Sequence, residues 1–297
     1  MALRDFALLV LVCLLWAANN IVSKYAVAIL EAPPLFYAAV RFAVVALAVF
    51  PWLRPVPQPF WRLIAVALLM GAGSFAFIFI ALKTASPSSV AIVSQVMVPM
   101  TTFLSFLMLG ERIDGRRGIG IALTLAGALA VMWDPHGFQI SDGLLFVVAG
   151  AFLGSLGAVM MKQMPGVKPL TFQAWVGLSS FAVLSVLSAF LEPGQVEAGL
   201  SLGWRFWAAV LFSGLVVSVG GHTAYYWLIQ RYEASLISPL TLMTPLATIA
   251  LGVLITRDHF DLRMAAGSAV ALAGVLIIAL RPNQLMLLVY AFRNRAK

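Results

Sequence analysis

Apolar runs of about twenty residues, broken by short polar turns, recur ten times along this chain, at residues 6–27, 35–53, 63–82, 88–109, 118–133, 143–161, 170–191, 206–229, 234–255 and 264–280. A bilayer's hydrocarbon core is about 30 Å thick and an α-helix rises about 1.5 Å per residue, so about twenty apolar residues span it. The pattern predicts an all-α membrane protein with ten transmembrane helices. A barrel is excluded, because the runs lack the period-two alternation of membrane strands. The first run is not a signal peptide, since Asp5 interrupts a basic start and no small-residue cleavage site follows before Asn19-Asn20.

The pattern also repeats. Ser89 stands ten residues before Pro99, and Ser235 stands ten before Pro245. Arg117 follows Pro99 by eighteen residues, and Arg263 follows Pro245 by eighteen. Leu125-Ala126-Gly127 then matches Leu272-Ala273-Gly274 with a one-residue slip, while Lys24 and Lys162 each close the first helix of a half. The division predicted is 1–137 and 138–282 as two five-helix repeats, with 283–297 as a basic tail. Five is odd, so the second repeat sits inverted relative to the first, the architecture of secondary transporters with a midplane site.

Composition agrees with this reading and charge orients it. Hydrophobic residues make up 62% of the 297 and charged residues 10%, too few to solvate a soluble domain. The net charge of +8 is not a nucleic-acid signal, because the basic residues fall in alternate loops. With the N-terminus cytoplasmic, the inner side holds Arg4, Arg54, Arg62, Arg112, Arg116, Arg117, Lys162, Lys168, Arg231, Arg281, Arg293, Arg295 and Lys297. The outer side holds only Lys24, Lys83, Arg205, Arg257 and Arg263. This bias places both termini inside. Cys13 is the one cysteine, so no disulfide or cysteine-based metal framework is expected.

Several of these residues together resemble the EamA-type members of the drug/metabolite transporter superfamily. They are Trp16-Ala17, Arg41, Pro99 followed by Leu109-Gly110-Glu111-Arg112, Gly127, and the second-half Pro245 and Gly274. By overall similarity the chain looks most like the aromatic amino-acid exporters. The second half departs from the family pattern, reading Ile255-Thr256-Arg257-Asp258 where a Gly-Glu pair is usual. The resemblance implies export of small metabolites, amino acids or drugs across a bacterial inner membrane. It also implies a cavity surrounded by helices one, three, four, six, eight and nine.

The candidate binding residues are polar and aromatic groups within the runs. In helix one, Trp16, Asn20 and Ser23–Lys24 share a face, with Asn19 beside them. Adjacent amides in lipid are costly, so they face either a watery cavity or a neighbouring helix. In helix eight, Ser218, His222 and Tyr226 share a face, with Tyr225 next to it; His222 reads as a substrate partner, a proton site or a packing histidine. Phe75 and Phe79 form an aromatic wall or ordinary packing. Gln95 and Thr241 lie near Pro99 and Pro245, prolines that kink their helices and free a carbonyl beside a cavity. Small-residue faces at Gly150, Gly154 and Gly157, at Gly120, Thr124 and Gly127, and at Gly267, Ala271 and Gly274 read as close helix packing. Arg41, nearer the outer end of its helix, is expected to snorkel or to pair with a helix terminus or Glu31, and its match to the family pattern implies a structural or gating role. The tail beyond Pro282 reads as an interfacial helix or a frayed end.

Every acidic residue lies near a predicted helix end or in a loop. Without a central carboxylate, a cationic substrate would lack its counter-charge, which favours a neutral or zwitterionic one carried down its gradient. Proton coupling through His222 remains the alternative, with a multidrug or nucleoside/purine exporter as the alternative substrate reading. No His-Glu-x-x-His motif and no phosphate-binding glycine loop is present, so no metal, cofactor or ATP hydrolysis is expected, and an intramembrane enzyme or a channel ranks lower. The expected partners are a small-molecule substrate and membrane lipid. No nucleic acid is expected, and the chain reads as a monomer, with a dimer as the alternative.

Overall fold

The computed structural model describes residues 2–110, 114–134, 139–140, 142–164, 166–232 and 240–279. Described residues are helical almost throughout. Helix α1 runs Leu3–Ile29, α2 Pro34–Ala48, α3 Phe60–Thr84, α4 Pro87–Leu109, α5 Gly115–Met132, α6 Asp142–Lys162 and α7 Pro169–Leu191. Helix α8 joins Gly203–Leu211, Phe212–Gly221 and His222–Arg231, α9 is Met243–Thr256 and α10 is Leu262–Ala279. Six of these, α1, α3, α4, α6, α7 and α8, are long and apolar enough to cross a membrane by length and composition. A two-residue antiparallel pair, Trp133–Asp134 with Gln139–Ile140, links α5 to α6.

Local chemistry sets the boundaries. Pro34, Pro87 and Pro169 each open a helix at a position where the missing N–H costs nothing. Ser86 caps α4 by accepting a hydrogen bond from the Ser89 N–H at 3.2 Å. Gly110 ends α4 in the left-handed region at φ 67°, a conformation that costs glycine little. The helix at Pro34 stops at Ala48, and Pro51 falls in a 3-10 turn over Phe50–Leu53, so the fifteen-residue α-helix is shorter than its apolar run.

The closest helix partnerships are α3 with α6, α5 with α10, α2 with α7, and α4 with α6. Each joins one of the first five helices to one of the last five. Backbone contact is tightest between α5 and α10. A Cβ on Gly127 would lie 2.4 Å from the Ala271 backbone nitrogen, and one on Gly274 would lie 2.5 Å from the Thr124 nitrogen. The small face of α6 packs on α3: a Cβ on Gly150 would meet the Ser74 carbonyl oxygen at 2.9 Å, and one on Gly157 the Met70 Cγ at 2.5 Å. Glycine at these positions lets backbones approach closely, the usual solution where lipid supplies no hydrophobic drive between helices.

Candidate functional site

Helix α1 presents its two amides to different neighbours. Asn19 is buried, and its Oδ1 accepts a hydrogen bond from Ser213 Oγ of α8 at 2.7 Å. Ser213 in turn accepts from the Tyr37 hydroxyl of α2 at 2.7 Å, and Ser23 approaches that hydroxyl at 3.4 Å. Asn20, about 100° further round the helix, donates instead to Thr248 of α9 at 3.3 Å. The adjacent amides therefore bridge α1 to two helices of the second half of the chain. One turn earlier, the Trp16 ring lies 5.4 Å from His222 and 5.0 Å edge-on from Tyr225. Gly221 lies under the indole, where a Cβ would sit 3.5 Å from Trp16 Nε1. That Nε1–H is buried without a hydrogen-bond partner among the described residues.

Arg41 is the largest fully buried side chain, at 1% exposure. The expectation that it snorkels or pairs with Glu31 is corrected: it turns inward across the molecule to α8. Its Nε and Nη2 donate to Ser218 Oγ at 3.2 and 2.9 Å. Its guanidinium carbon sits 4.5 Å from the Phe75 ring centre and 5.5 Å from that of Phe79. Ring faces attract a cation, which explains why a charge tolerates this place. Phe75 and Phe79 pack together, 5.8 Å apart, with a guanidinium on one side and Tyr37, edge-on to Phe79 at 5.0 Å, on the other.

Helix α8 is wound for this role. From Phe212 to Gly221 it is π-helical, a looser turn in which residues five apart align. Ser218 Oγ donates to the Ser213 carbonyl at 2.9 Å, and His222 Nδ1 meets the Val217 carbonyl at 3.1 Å, both across five residues. A carbonyl oxygen only accepts, so Nδ1 carries the proton and Nε2 of the neutral ring is an acceptor. Gln173 of α7 donates to the Ser218 carbonyl at 3.0 Å, tying a further helix to the same segment. Helix α3 has its own π-helical stretch at Leu69–Gly73.

Of the predicted residues, Trp16, Asn19, Phe75, Phe79, His222 and Tyr225 gather around α8, while Asn20 faces α9. Gln95 and Thr241 each lie four residues before a proline, Pro99 and Pro245, so each carbonyl lacks its usual helical donor. The backbone responds with a 3-10 turn at Ser94–Val96, and with a Thr244 N–H to Thr241 carbonyl bond at 2.9 Å. Both prolines are buried. The side chain of Tyr226 and the tail 283–297 lie outside the described residues, as do Glu111, Arg112 and Ser235. Arg41, Tyr37, Ser213 and Gln173 are cluster members that the sequence reading did not select. A separate apolar crevice, lined by Leu8, Val49, Trp52, Val219, Thr223 and Trp227 among others, contains none of the predicted residues.

Three carboxylates link the two halves of the chain at the helix ends. Asp258 accepts from both the backbone N–H and the hydroxyl of Ser88, at the N-terminus of α4, where the helix dipole favours an anion. Near it, Lys24 Nζ donates to the Ala85 carbonyl at 3.0 Å. Glu192 accepts from the Leu35 and Phe36 N–H groups at 2.8 and 2.9 Å, opening α2. At the opposite end Asp5 accepts from the Tyr232 hydroxyl, with Arg231 Nε at 4.0 Å.

The EamA-like transporter family matches this chain over residues 5–133 and 141–280. The chain belongs to the EamA-like transporter family. Among its relatives is a "Probable amino-acid metabolite efflux pump" of Salmonella typhimurium, 27% identical over 287 residues and covering 93% of this chain and 95% of that one. A protein of the same description from Escherichia coli is 27% identical over 289 residues, with the same coverage of both chains. An uncharacterized transporter of Bacillus subtilis, YvbV, is 26% identical over 291 residues, covering 93% of this chain and 91% of its own. A solved crystal structure shares the fold, with a TM-score of 0.65 at 19% identity over 93% of this chain and 96% of that one. This EamA-type protein is a multi-pass membrane transporter of small molecules and not an enzyme.

Proposed function

We propose that this EamA-type transporter exports amino acids, with aromatic or other apolar side chains preferred, or similar small metabolites, across a bacterial inner membrane by alternating access. The observation that carries this is the buried cluster of amides, hydroxyls and aromatic rings between α1, α2 and α8. It joins helices of both halves and surrounds no acidic side chain among the described residues. Such a lining suits a small ligand with both hydrogen-bonding and apolar parts. The amino-acid efflux description of the enteric relatives points the same way.

In this reading all ten helices span the membrane as two inverted repeats, 1–137 and 138–282, with both termini cytoplasmic and 283–297 as a tail. Trp16, Asn19, Asn20, Phe75, Phe79, Gln95, His222, Tyr225, Tyr226 and Thr241 line the path, and Pro99 and Pro245 are its hinges. The carboxylate links act as gates: Asp258 and Glu192 close the outer end, and Asp5 closes the inner one. The test is uptake of labelled phenylalanine, tryptophan, threonine and methionine into proteoliposomes, with and without a pH gradient. Saturable phenylalanine uptake indifferent to the gradient is expected. Uptake that follows the gradient would replace facilitated diffusion with proton coupling and direct attention to His222. Uptake of purine nucleosides or cationic drugs in place of amino acids would overturn the substrate reading.

A further inference from the structure

A guanidinium buried inside a membrane protein is normally paired, because an uncompensated charge in low dielectric is expensive. Arg41 breaks this expectation. Two of its nitrogens share one hydroxyl, that of Ser218, and its guanidinium otherwise rests on the rings of Phe75, Phe79 and Phe42. Its Nη1 is buried without a hydrogen-bond partner, and among the described residues Arg41 forms no ion pair. Close by, one turn beyond Ser218 on α8, His222 lies against Trp16 of α1, whose Nε1 is a second buried donor without a partner among the described residues. Two buried donors in this region, one of them on a positive charge, have no acceptor among the described residues.

We propose that Arg41 anchors the carboxylate of the transported molecule, so that the substrate class is a monocarboxylate with an apolar or aromatic body, such as an amino acid. A carboxylate supplies two acceptor oxygens for a planar guanidinium and one negative charge for its one positive charge. A phosphate dianion would leave excess negative charge in the same place. The rings of Phe75 and Phe79 bordering the guanidinium give the body of such a ligand an apolar wall. Arg41 belongs to α2 and Ser218 to α8, so the bond between them crosses from the first half of the chain to the second. Parting these helices would release two guanidinium N–H groups and expose Nη1, and a carboxylate would take the place of the Ser218 hydroxyl. The inference rests on the transport reading above and specifies which end of the substrate is recognised.

The experiment uses the full chain in proteoliposomes, with saturable labelled phenylalanine uptake as the readout. Two competitors differ in one group each: 3-phenylpropanoate keeps the carboxylate and lacks the amine, and 2-phenylethylamine keeps the amine and lacks the carboxylate. Phenylpropanoate is expected to inhibit at concentrations at least tenfold lower than phenylethylamine. Arg41→Gln is expected to raise KM for phenylalanine at least tenfold and to abolish the advantage of phenylpropanoate, with Arg41→Lys intermediate. A purely structural arginine would lower the amount of active protein and its maximal rate while leaving KM and the competitor order unchanged. Equal or better inhibition by phenylethylamine in the wild-type protein overturns the inference without recourse to any variant, and leaves the amino-acid transport reading standing. Absence of saturable uptake of any amino acid by folded protein removes that reading and the inference together.

Discussion

Two helix interfaces in this protein are built on opposite principles. Between α5 and α10 the backbones touch through Gly127, Ala271 and Gly274, with the Thr124 side chain against Gly274. Between α8 and the pair α1 and α2, the contacts are hydroxyls, amides, an imidazole and a guanidinium. The first interface has one way to fit, because rigid backbones have no rotamers to change. The second is made of groups that can exchange one hydrogen-bond partner for another at modest net cost. The glycine interface therefore suits a scaffold, and the polar one suits the surface along which the proposed alternating access would move the two halves.

Steric change at the scaffold should do the most damage. Gly127→Leu forces a branched side chain into the Ala271 backbone and is expected to cost about 3 kcal/mol or more. Thermal unfolding followed by size-exclusion in detergent checks this; a melting temperature within a degree or two of wild type would show that the interface is looser than drawn. In the polar interface, Ser218→Ala removes the acceptor shared by two guanidinium donors and should cost about 1–3 kcal/mol. Because Ser218 and the substrate carboxylate compete for the same guanidinium, it should leave the phenylalanine KM unchanged or lower it, and a KM raised as far as by Arg41→Gln would make Ser218 the principal contact.

Smaller still is the difference between the adjacent amides. Asn19→Ala leaves the buried Ser213 hydroxyl without its acceptor and should cost about 1–2 kcal/mol. Asn20→Ala breaks a longer, half-buried bond to Thr248 and should cost under about 1 kcal/mol. Equal losses on chemical unfolding would remove the distinction between the two faces of α1. Smallest is Asp258→Asn, which keeps an acceptor at the start of α4 and loses the charge that favours the helix N-terminus. A decrease of about 0.3–1 kcal/mol is expected in low-salt unfolding, fading as salt is raised.

Helix placement was largely legible, because an apolar run of about twenty residues has one stable use in a membrane. The close-packed glycines of α5, α6 and α10 also follow from helical spacing and residue size. Arg41 was misread for a definable reason. A charge about two turns into a helix looks able to reach the interface, and only the tertiary structure shows Ser218, Phe75 and Phe79 arranged to receive it. Ser213 and Tyr37 escaped notice because single hydroxyls in an apolar run resemble routine helix packing. The π-helical segment of α8 changed the period from about 3.6 to one in which Ser213 aligns with Ser218 and Val217 with His222. The glycine- and serine-rich stretch Phe212–Gly221 was the available signal, since such residues tolerate the looser winding.

The tandem asparagines of α1 carry one more consequence. A helix advances about 100° per residue, so turning α1 about its own axis by a single step would bring Asn20 to the azimuth that Asn19 occupies. Ser213 would again face an amide. The Asn19–Ser213 pairing taken alone is thus degenerate under rotation, like a gear with two equivalent teeth. Two features distinguish the settings: the indole of Trp16, whose place Ala17 would take, and the Asn20–Thr248 bond, whose place Ile21 would take. Trp16 and Asn20 are therefore the index marks of α1, and exchanging Trp16 for a small residue would leave the Asn20–Thr248 bond alone to fix the setting.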